Sequence, residues 1–147
     1  MSIDYVIIPE VDLCYARWRG VIDQKQTLEN FARYLADPLY RPGRPELVDL
    51  REITAFDVDM SSMRLLLEQA NAQDFGDQPG TLTVVLAGSA VSYGHARQYQ
   101  SLASIRDGID VRLHRDEASA LRDLSRPERT VGELLRAHAP EFVLSSC

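Results

Sequence analysis

Residues 81–87, Thr-Leu-Thr-Val-Val-Leu-Ala, form the most apolar strand-like run of the chain. A strand this apolar is expected at a central position covered on both faces, which demands helical layers on either side of a sheet. The rest of the chain supplies the pattern. Residues 3–8 (IDYVII) are β-branched and aromatic. Residues 13–19 (LCYARWR) alternate, with Cys14, Ala16 and Trp18 on one face and Tyr15, Arg17 and Arg19 on the other. Residues 46–51 (ELVDLR) and 109–114 (IDVRLH) complete five candidate strands. The turn over 9–12 predicts an antiparallel hairpin of the first two, with Gly20 at the end of the second.

Helix patterns fall between these strands. Thr27 is the predicted N-cap of a helix to about residue 36, with Leu28, Phe31, Ala32 and Leu35 as its buried stripe. A second helix is expected from Asp59 or Ser61 to about Asp74, and a third from about Ser92 to Ile105. Asp116 caps a short helix to Leu124. After the linker 125–129 (SRPER), Thr130-Val-Gly-Glu133 fits a capping box and sets Val131, Leu134, Leu135 and His138 on one face. The fold class expected is α/β: a single-domain mixed sheet of about five strands with packed helices over 1–124, then a helical extension over 125–147. The extension is expected to fold back or to cross to a second copy in a homodimer. Its removal is expected to leave the core folded.

The chain of 147 residues carries 16 basic and 22 acidic side chains, a formal charge of −6. That balance disfavours non-specific nucleic-acid binding, which needs clustered cations. Local basic patches survive it, as at Arg41 and Arg44 in an exposed Pro-Gly loop. No run is long and apolar enough to span a membrane, and the first residues lack the pattern of a signal peptide, so the cytoplasm is the expected location. Cys14 and Cys147 form no disulfide framework, and His95, His114 and His138 have no metal-ligand spacing, so no metal or other cofactor is expected.

One segment carries a family resemblance. Residues 46–67, ELVDLREITAFDVDMSSMRLLL, read as a strand ending Val-Asp-Leu-Arg, a turn with acidic residues and serines, then a leucine-rich helix. This resembles the STAS domain of bacterial anti-sigma-factor antagonists, and more closely the small stand-alone SpoIIAA-like (STAS/SEC14) proteins. Trp18 to Ile22, Asp37 to Gly43 and Tyr93 to Gln100 extend the likeness over about residues 3–124. The resemblance implies a SpoIIAA-like fold and a non-enzymatic binding or regulatory module, with a protein partner or a small apolar or anionic ligand. It also implies an alternative, a phospho-regulated switch using Ser61 or Ser62, which hold the comparable place at a helix start.

The residues themselves offer three further readings. Tyr93, His95 and Arg97 lie at the start of one helix, with Tyr93 and Arg97 one turn apart, and form the candidate ligand site. Ala90-Val-Ser92-Tyr-Gly94 resembles a nucleophile elbow, which leaves a small serine hydrolase using Ser92 as another alternative. Asp49 and Arg51 share a strand face with Leu47, and Asp49 needs a cation if buried, for which Arg17 or Arg97 is the expected partner.

Overall fold

The computed structural model describes residues 2–57, 61, 81–103 and 109–145. Its sheet runs β1 (Ser2–Ile8), β2 (Leu13–Asp23), β3 (Glu46–Asp57), β4 (Thr81–Leu86) and β5 (Ile109–His114), in that spatial order. β1 and β2 form the expected antiparallel hairpin, and the remaining neighbours are parallel. The expected mixed sheet of five strands is therefore present. β3, not β4, is its middle strand, and β4 is buried on both faces one place from the edge.

Helix α1 (Gln24–Leu35) begins earlier than Thr27. Asp23 is its N-cap, accepting from Gln26 N at 2.8 Å while the Gln26 side chain reaches back to Asp23 N. Its buried residues are Thr27 and Tyr34, so the inward stripe is rotated from the predicted one. Helix α2 (Ala90–Ala103) follows β4, α3 (Glu117–Asp123) follows β5, and α4 (Val131–His138) and α5 (Pro140–Ser145) close the described chain. Asp116 caps α3 through Ser119 N as expected. Thr130 caps α4 through Glu133 N, and Glu133 returns a bond to Arg129 N, one residue before the cap. The predicted helix over 59–74, apart from residue 61, lies outside the described residues.

Strand parity sorts the core into two sides. Ile3, Ile7, Cys14, Leu50 and Val85 face α1 and α2, where they meet Tyr34 and Ala96. Ile8, Leu13, Tyr15, Leu47, Val84 and Leu86 face the other way, onto Ala120, Leu121, Val131, Leu134 and Leu135 of α3 and α4. Packing does not break at residue 125, because α4 supplies Val131, Leu134 and Leu135 to that second core beside α3. The loop over 38–45 is less exposed than predicted. Arg44 is buried, and it and Arg41 both reach Asp12, at 2.9 and 2.6 Å, tying the loop to the β1–β2 turn.

β2 and β3 stay paired well beyond the end of β4. The β3–β4 ladder stops at Asp49↔Leu86, whereas β2–β3 continues to Asp23↔Asp57. β2 does not end at Gly20, which adopts φ 73°. Arg17 pairs with Asp49 but Arg19 with Glu52, so β3 carries one extra residue there.

Candidate functional site

That extra residue shapes a groove between the β2–β3 ribbon and helices α4 and α5. Regular alternation sends consecutive side chains to opposite faces. At the bulge Arg51 and Glu52 both line the groove, together with Tyr15, Arg17, Arg19 and Asp49 from the sheet. Val131, Gly132, Leu135 and Arg136 of α4 and Val143 of α5 form the opposing wall. The groove encloses about 430 Å³. Four guanidinium groups meet two carboxylates in it, so its formal charge is positive inside an acidic protein.

The pairing is uneven. Asp49 is buried and takes Arg51 in a side-on fork, Nε to Oδ1 at 2.9 Å and Nη2 to Oδ2 at 2.8 Å. Its partner is thus Arg51, its own strand neighbour two positions on, and not the expected Arg17 or Arg97. The Tyr15 hydroxyl donates to Asp49 Oδ2 at 2.7 Å and the Arg51 amide to Oδ1 at 3.1 Å. Burial opposes ionisation of Asp49, but the Arg51 and Tyr15 hydrogen bonds and the Arg51 charge outweigh it and hold the carboxyl below its ordinary range. Arg51 also meets Glu117 at 3.0 Å, and Arg19 meets Glu52 at 3.0 Å.

Arg17 and Arg136 are left over. Neither forms an ion pair with a described residue. Arg17 lies with Cζ 4.9 Å from the centre of the Phe142 ring, a cation–π contact, and its Nε and Nη2 are buried without a hydrogen-bond acceptor. Arg136 lies back over its own helix: a Cβ on Gly132 would stand 3.2 Å from Arg136 Nη1.

The residues singled out from sequence lie elsewhere. Tyr93 is half-buried on α2, stacked under Arg115 with Cζ 4.3 Å from the ring centre. Arg97 is exposed on the same helix, and the side chain of His95 lies outside the described set. Ser61 is exposed, and Ser62 lies outside the described residues. Ser92 is fully buried, and its Oγ donates to Ser89 O at 3.1 Å while accepting from Ser89 N at 3.1 Å. This is a helix-start bond network in which the Ser92 hydroxyl is buried. His114 pairs with Asp123, and His138 stands 3.5 Å from both Glu10 and Glu128.

Sequence reasoning put Arg17 and Arg19 on one face with Tyr15, which was the available signal for the groove. It put Arg51 on the face of Asp49 without pairing the two, and it missed Glu52 and Arg136, because the bulge and the return of α4 are tertiary facts. Among the described residues no group of His, Cys, Asp and Glu is placed to hold a metal, and no helix is long and apolar enough to cross a membrane. In comparisons with known proteins, no protein-family model and no curated protein matches this chain.

Proposed function

We propose that this protein is a non-enzymatic binding module whose ligand is a small anion with an apolar portion, held in the groove between the β2–β3 ribbon and helices α4 and α5. The observation that carries the reading is the pair of guanidinium groups, Arg17 and Arg136, left without carboxylate partners in a groove walled by Tyr15, Val131, Leu135 and Val143. The Nε and Nη2 of Arg17 are buried without an acceptor, which is costly, and an anion from outside offsets that cost, while the exposed Arg136 adds positive charge at the groove rim. The apolar wall gives the remainder of the ligand a surface to bury. The buried, internally bonded hydroxyl of Ser92 supports a binding role over a nucleophilic one. The STAS-like resemblance of residues 46–67 supports the same class of role, a regulatory domain that responds to what it binds.

Thermal-shift screening of small organic anions against the full chain tests this. The expected result is a rise in melting temperature with anions bearing an apolar group, lost in Arg136→Gln. A screen in which no anion raises the melting temperature overturns the reading.

A further inference from the structure

The groove has a feature that narrows its ligand further, and the inference rests on the binding role just proposed. Arg51 displays the geometry with which a guanidinium takes a carboxylate here: Nε and Nη2, the two parallel donors of one edge, each hold one oxygen of Asp49. Arg17 pairs in register with Asp49 from the neighbouring strand. The two buried donors it leaves without acceptors are this same Nε and Nη2.

No carboxylate of the groove remains for it. Asp49 is taken up by Arg51 and Tyr15, and Glu52 by Arg19. The flat face of Arg17 is occupied by Phe142. A guanidinium stacked on its face hydrogen-bonds in its own plane. The missing acceptor therefore lies in that plane, offering two oxygens to parallel N–H groups.

We propose that the Nε–Nη2 edge of Arg17 is the receptor for the carboxylate of a small organic acid, held in the fork that Arg51 makes with Asp49. The apolar body of the acid lies along Val131 and Leu135 of α4, and Arg136 adds a second positive charge at the groove wall. Because the edge is shut off from solvent and Phe142 of the six-residue helix α5 lies against Arg17, the acid enters with displacement of α5.

Titration calorimetry of the full chain with benzoate, 4-phenylbutanoate, 4-phenylbutanamide and 4-phenylbutyl phosphate tests the assignment. At least one of the two acids is expected to bind, with the amide weaker than its parent acid by about tenfold or more. Arg17→Lys keeps the charge and loses the fork, and is expected to weaken acid binding by about tenfold or more. The Nε–H resonance of Arg17 in the unsubstituted protein supplies a readout that needs no variant: it is expected to shift on adding the acid and to stay in place on adding the amide. If the acid binds but leaves that resonance unmoved, or binds Arg17→Lys as tightly, the fork is wrong while the groove remains a ligand site. If the phosphate ester binds more tightly than its acid, the carboxylate assignment is wrong. If neither acid nor phosphate binds, the fork and the binding role both fall.

Discussion

Asp49 and Glu46 sit three residues apart on β3 and illustrate opposite outcomes of burial. Asp49 has Arg51 and Tyr15 to hold its charge, so its folded-state carboxyl titrates low. The stability it contributes is present above the unfolded value of about 3.9 and is lost as pH falls through the folded one. Asp49→Asn is expected to destabilise the protein at neutral pH by about 1–3 kcal/mol, the value expected when half of a partly exposed pair is removed. In denaturant titrations the difference between the two proteins is expected to shrink as pH drops below about 4. Glu46 has no such partner among the described residues, and burial near Cys14, Tyr34 and Tyr40 pushes its carboxyl up to about 7. Its sign is reversed: the folded state binds the proton more tightly, so stability falls as pH rises from the ordinary value of 4.5 through about 7. Glu46→Gln is expected to flatten that slope and to raise the melting temperature at pH 8. Strand parity in the sequence put Asp49 and Arg51 on one face and Tyr15 and Arg17 on one face of another strand. It did not show that Asp49 would take its own strand neighbour, because the fork forms at a bulge that only the pairing of β2 and β3 reveals.

Elements differ in how openly the chain announces them. The hairpin of β1 and β2, the parallel β4 and β5 and the Asp116 cap follow from local pattern. The true start of α1 does not, because Asp23 and Gln26 form the capping box inside a segment that reads as loop. Asp23→Ala is expected to cost about 1 kcal/mol, measurable by urea unfolding. The bulge in β3 is equally silent, since no glycine or proline occurs between Asp49 and Glu52. Helix α4 combines both kinds of information. Its apolar stripe is legible, while the use of Gly132 to let Arg136 lie back into the groove is not. Gly132→Ala should improve helix propensity by about 1 kcal/mol, because the crowded atom is the far end of a flexible side chain. The same variant is expected to push Arg136 away and weaken the proposed anion binding, so melting temperature and affinity move in opposite directions.

For the whole molecule, the decisive contribution comes from residues 131–143. Leu134 is fully buried against the sheet, and Val131, Leu135 and Ala139 share its core with Ile8, Leu13, Tyr15 and Leu47. A chain ending at residue 129 therefore uncovers the part of that apolar face that α4 and α5 cover, leaving only α3 on it. It is expected to lose cooperative thermal unfolding and to bind hydrophobic dyes, contrary to the independent 1–124 core expected from sequence. Leu134→Ala gives the milder version, a loss of about 2–5 kcal/mol in chemical denaturation. The linker composition at 125–129 is plain in the sequence, but a linker marks where the chain turns, not where packing stops. During synthesis the chain emerges from its amino end, so the ribosome releases all five strands before the helix that roofs them. Until that helix arrives, Tyr15, Leu47 and Leu86 stand bare on a half-covered sheet. The nascent protein thus passes through a stage in which the floor of the later groove is an open, sticky plane, and chaperone attachment is expected to concentrate there.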